Sequence, residues 1–159
     1  MERKKVLVVD DNSLLSKTID ICLRKRGHDV RVFCNGTDAV KYLSEEKPDS
    51  IVMDMKLPDC DGWFIARLLG KLDWGKDVPL IVTSVMDPDG GGIAEIKPYA
   101  YIQKPFDMGL LMQTVERSLS EGRAPPAENM RNPLNQTRGG DEKGFSCPGF
   151  KLLLIQGRS

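Results

Sequence analysis

The sequence predicts an α/β protein: five strand–helix units around a doubly wound parallel sheet. Three observations carry that reading. Short apolar runs recur along the first 121 residues, each followed by a stretch with helical spacing. Several runs are apolar at every position, as strands covered by helices on both faces are. Several also close on a polar residue, and in open α/β sheets the carboxyl ends of the strands are where sites form.

Taken in order, VLVV (6–9) is the first strand. Asn12 or Ser13 caps a helix that carries Leu15, Ile19, Cys22 and Leu23 on one stripe, and Gly27 ends it. DVRVF (29–33) is the second strand, and Gly36 or Thr37 opens a helix with Ala39, Val40 and Leu43 inward. Pro48 follows the end of that helix. SIVMD (50–54) is the third strand, followed by the loop LPDCDG and a helix from about Trp63 to Leu72. PLIVTS (79–84) is the fourth strand and YAYIQK (99–104) the fifth. Between them, DPDGGGIAEIKP (87–98) has room for about two turns, so the fourth helix is expected to be shortened or irregular. Its GGG is not a phosphate loop, because no Gly-Lys-Ser/Thr follows. The last helix runs from about Asp107 to Leu119.

Composition separates 1–121 from 122–159. The first segment carries 17 Lys and Arg against 20 Asp and Glu; the second carries 6 against 3. Residues 122–159 also hold six Gly and four Pro, the composition of a linker or a disordered tail, and read as an irregular C-terminal extension. Within it FKLLLIQ (150–156) leaves three readings open: a short strand, a docking peptide or a cloning remnant. With 159 residues, the chain suits one domain and a tail. A net charge of zero gives no nucleic-acid footprint. Four cysteines without a CxxC pair, and one His, argue against a zinc site and for a reduced, cytoplasmic protein. No apolar run reaches membrane-spanning length, and no signal peptide opens the chain.

Asp10 and Asp11 end strand one, Asp54 ends strand three, Thr83 ends strand four, and Lys104 ends strand five. With strands one and three adjacent and four and five beyond, all five side chains converge on one crevice. Clustered carboxylates raise one another's pKa, and a divalent cation relieves that conflict. Mg²⁺ suits two or three carboxylates because it takes oxygen ligands and retains water. Asp54, on the central strand, is then the candidate nucleophile toward phosphorus, with Lys104 neutralising phosphoryl oxygens and Thr83 donating a hydrogen bond.

These motifs resemble the receiver domain of the two-component response regulators, the CheY-like family with a flavodoxin-like (βα)5 fold and strand order 2-1-3-4-5. VLVVDDN is similar to its first strand and acidic pair, and DMKLPDCDG to its phosphoacceptor strand and loop, with Pro58, Asp61 and Gly62 in place. VTS is similar to its switch strand and YIQKPF to its fifth, including Lys104-Pro105, a peptide bond that is usually cis in the family. The resemblance covers about residues 4–120 and assigns a receiver domain to 1–121. It implies that Asp10 and Asp11 hold Mg²⁺ together with Asp54 and the backbone carbonyl of Lys56. It implies that Asp54 accepts a phosphoryl group from a sensor histidine kinase or a phosphotransfer protein, that Thr83 moves toward that group, and that Tyr101 follows as the aromatic switch. An altered face would then select a downstream protein or a second copy in a homodimer. No nucleic-acid or membrane partner is implied, and the only catalysis is on the chain itself.

Three departures stand out. The 87–98 region is short and Gly-rich, with Pro98 where the family usually continues a helix into a Gly-Ala turn. Lys56 lies two residues past Asp54, most simply as a solvated side chain. Residues 122–159 do not fit a DNA-binding winged helix, so a single-domain regulator is expected. Elsewhere the plain readings hold: His28, in RKRGHD, is expected at the surface, Trp63 and Trp74 are packing residues, and Cys60 has no redox role. The alternative function is a pseudo-receiver, a phosphorylation-independent interaction module. A haloacid-dehalogenase-like phosphatase needs an acid two residues past its nucleophile, where Lys56 stands. A flavodoxin-like electron carrier needs a Ser/Thr/Gly-rich loop where DDNSLL stands.

Overall fold

The computed structural model describes residues 2–86 and 95–122. Five parallel strands form one sheet in the order β2-β1-β3-β4-β5. They are β1 (Lys5–Val9), β2 (Asp29–Phe33), β3 (Ser50–Asp54), β4 (Leu80–Ser84) and β5 (Ala100–Gln103). The helices are α1 (Ser13–Lys25), α2 (Gly36–Glu45), α3 (Gly62–Lys71) and, last, α4 (Met108–Glu121). α1 packs beside α4, and α2 beside α3. Right-handed crossovers put these two pairs on opposite faces of the sheet.

The apolar runs become strands because both faces are covered. Val6, Leu7, Val8 and Val9 are at most 1% exposed, and every residue of β3 and β4 is buried. A Val, Leu or Ile side chain taken wholly from water contributes about 1.5–3 kcal/mol, so the central strands carry much of the stability.

Each helix start is set by an Asn or Asp side chain accepting a backbone N–H of the first turn. Asn12 accepts from Leu15 and Asn35 from Asp38. Asp61 accepts from Trp63 and Asp107 from Leu110. Asn12 rather than Ser13 is therefore the cap of α1, and α2 begins at Gly36 behind Asn35. α1 ends as expected at Gly27, whose φ of 89° is in the left-handed region. Gly27 N–H donates to Arg24 O at 2.9 Å and His28 N–H to Leu23 O at 3.2 Å, the paired bonds of a Schellman motif.

That motif corrects the expectation for His28. The residue after the left-handed glycine folds back toward the preceding turn, and His28 is 6% exposed rather than at the surface. Its Nε2 lies 2.7 Å from Glu116 Oε1 of α4, joining the α1–β2 turn to the last helix. Trp63 and Trp74 pack against the core, in line with their expected role. In the β4–β5 connection Glu95 and Ile96 are helical. The expectations for 87–94, and those for the tail from residue 123 on, fall outside the described residues. Among the described residues no helix is long and apolar enough to cross a membrane.

Candidate functional site

The strand register brings the polar strand ends together. Val9 pairs with Met53, so Asp10 stands beside Asp54 one step on. Asp54 itself pairs with Thr83, and Ser84 with Gln103, the residue before Lys104. Asp10 and Asp54 are buried, at 2% and 6% exposure, while Asp11 is exposed. One carboxylate oxygen from each of the three lies within 4.8 Å of the others.

Lys104 reaches into this cluster. Its Nζ donates to Asp10 Oδ2 at 2.8 Å and to Asp54 Oδ2 at 2.9 Å. The other oxygens accept backbone N–H groups, Asp10 Oδ1 from Asn12 at 2.9 Å and Asp54 Oδ1 from Lys56 at 3.0 Å. Burial pushes the Asp10 carboxyl above the ordinary carboxylate value, against the lowering effect of Lys104 and of the Asn12 N–H. Burial works on Lys104 in the opposite sense, but its hydrogen bonds to Asp10 and Asp54 outweigh it and its pKa is raised. Two buried carboxylates are thus bridged by one ammonium group.

The donor set fits a hard divalent cation. Three carboxylates with oxygens this close repel one another, and the inward ones already draw a positive group between them. Asp10, Asp11 and Asp54 could hold such an ion.

That loop is held at both ends. Gly62 N–H donates to Met55 O at 2.9 Å, and Lys56 and Asp61 form an isolated bridge. A Cβ at Gly62 would lie 2.6 Å from Met55 Cα, so only glycine allows this approach. Asp59 fastens the loop to α2, accepting Gly36 N–H at 2.7 Å, Thr37 N–H at 2.8 Å and the Thr37 hydroxyl. These bonds lower its pKa to about 2, the Thr37 hydroxyl contributing most. The sequence reading missed Asp59, and its only sequence signal is an acid in a loop that a later fold brings to a helix start.

The remaining candidates are placed as follows. Thr83 is 1% exposed beside Asp54. Tyr101 is 3% exposed, and its hydroxyl donates to Met86 O at 2.6 Å. The Lys56 side chain is exposed. The Lys104-Pro105 peptide bond is cis.

The family model of the response regulator receiver domain matches residues 6–116. The chain belongs to that family. Receiver domains are phosphoacceptor modules of two-component signalling rather than catalytic enzymes, and their acidic triad is the kind of site that takes Mg²⁺. Solved receivers superpose on most of the described fold. The receiver domain of the Francisella response regulator 1452 is 26% identical, with a TM-score of 0.67 over 75% of this chain and 98% of that one. The BeF3-activated receiver domain of DrrB, an OmpR/PhoB homologue of Thermotoga maritima, is also 26% identical, with a TM-score of 0.66 over 75% and 99%. The Vibrio cholerae chemotaxis regulator CheY4, at 20% identity, shares the fold, with a TM-score of 0.68 over 73% and 98%.

Proposed function

We propose that this receiver accepts a phosphoryl group on Asp54 and relays it as a change of surface. The observation that carries the proposal is the placement of Asp54: buried on the central strand, with two further carboxylates beside it and Lys104 on its Oδ2. The donor is a phosphohistidine of a sensor histidine kinase or a phosphotransfer protein. An Asp54 carboxylate oxygen forms a bond to phosphorus as the N–P bond breaks. The electron pair of that bond returns to the imidazole nitrogen, and the product is an aspartyl phosphate.

Asp10, Asp11, Asp54 and the Lys56 backbone carbonyl would hold Mg²⁺, which would supply positive charge to offset that of the phosphoryl oxygens. Lys104 transfers one of its hydrogen bonds to a phosphoryl oxygen, and the Thr83 hydroxyl donates to another. Thr83 and Tyr101 stand on adjacent strands, so a shift of Thr83 changes the space that Tyr101 fills. Tyr101 then gives up or keeps its bond to Met86 O, which makes it the two-state element. The altered face selects a downstream protein or a second copy of the chain. The reading places the protein in the cytoplasm.

Intact mass after incubation with acetyl phosphate tests this. A Mg²⁺-dependent phosphoryl adduct on the wild type, absent from Asp54→Asn, is the expected result. No adduct under any condition would overturn the phosphotransfer reading and leave an interaction module.

A further inference from the structure

A groove of about 750 Å³ opens at the amino ends of β4 and β5, across the sheet from the carboxylates. Its floor is apolar, made by Leu69, Val78, Leu80 and Ile96. Its rim is basic, with Arg67, Lys71, Lys76 and Lys97 against Glu95. Arg67 is committed to Glu95, with nitrogen–oxygen distances of 3.2 and 3.3 Å. Lys71, Lys76 and Lys97 have no ion-pair partner among the described residues. Asp73 and Asp77 flank Lys76 in sequence but do not line the groove. Three cations without an ion-pair partner among the described residues thus meet at one groove of a segment that is otherwise acidic, with net charge −3 over residues 1–121.

Two local features mark the groove. Gly70 faces it from α3, and nothing lies within 4 Å of where its Cβ would be. Lys97 has φ of 46°, the one non-glycine residue at positive φ among the described residues. A left-handed lysine costs backbone energy, and such strain concentrates where chains meet ligands.

We infer that this groove docks an acidic, amphipathic segment of a partner protein. Carboxylates on the segment match Lys71, Lys76 and Lys97, and its aliphatic side chains match the floor, the pattern of a helix laid in a groove. A small polyanion would leave the apolar floor unused. The chain's own residues 122–159 carry net charge +3, which the rim repels. The inference does not depend on phosphotransfer at Asp54.

The test uses the full chain and a fluorescent synthetic peptide with leucines at helical spacing and glutamates elsewhere, followed by anisotropy and amide chemical shifts. Saturable binding is expected, with shifts confined to 66–71, 75–80 and 95–97. Joint replacement Lys71→Glu, Lys76→Glu and Lys97→Glu should weaken it by about tenfold or more, as should added salt. Gly70→Tyr should block it too, and replaces a poor helix former, so the fold is retained. Binding that ignores the charge reversal or Gly70→Tyr, or no saturation, overturns the inference. Inorganic pyrophosphate bound with the same lysine dependence but indifferent to Gly70→Tyr would assign the rim to a small anion and overturn it. Dimerisation that Gly70→Tyr abolishes would assign the groove to a second copy, with the same consequence.

Discussion

Burial raises the pKa of Asp10, and the direction of that shift sets how the side chain bears on stability. A carboxyl whose folded pKa is raised contributes stability at acid pH and loses it as pH rises through the folded value. At neutral pH the ionised Asp10 therefore weakens the fold it sits in. Without divalent ions Asp10→Asn should melt above the wild type at pH 7, and thermal denaturation reads this directly. Mg²⁺ should reverse the order. At roughly a hundredfold over its Kd it should stabilise the wild type by about 2.7 kcal/mol, and the variant much less. Asp59 has the opposite sign. Its folded pKa of about 2 lies below the ordinary value of 3.8. Its contribution is present above about pH 4 and disappears as pH falls toward 2. Asp59→Asn should be less stable than wild type in urea at pH 6, with the gap closing at pH 2.

At the scale of elements, the ends of helices decide more than their middles. Gly27→Ala places a Cβ on a residue at φ 89° and should cost about 1 kcal/mol, read from the denaturation midpoint. The elements themselves were legible in the sequence. SIVMD and DVRVF both form strands at the expected bounds, the first because a strand buried on both faces leaves a near-continuous apolar run, the second, at the sheet edge, through β-branched and aromatic residues alternating with charged ones. The strand ends also announced the convergence of Asp10, Asp54, Thr83 and Lys104. Less legible was whatever depends on a contact distant in sequence. Asp59 meets Gly36 and Thr37 across 23 and 22 positions, and no local pattern records that. His28 has the composition of a surface turn, yet the Schellman geometry turns it under α4 toward Glu116. The caps Asn35 and Asp61 were not read from the sequence, which opened the second helix at Gly36 or Thr37 and the third at about Trp63.

For the molecule as a whole, the sheet is both core and scaffold. Ile81, fully buried on β4, adjoins the strand that carries Asp54. Ile81→Ala should cost about 2–5 kcal/mol by calorimetry, with the spread set by how far the site can collapse. The strand order has a further consequence, in time rather than space. β1 is made first yet lies in the interior, with β2 on one side and β3 on the other. During synthesis it must wait for residues 29–33 and then 50–54 before both of its edges are paired. Every parallel pairing also waits for the crossover that precedes it. Assembly therefore proceeds outward from a centre laid down at the start, and the pocket is complete only when β5 delivers Lys104.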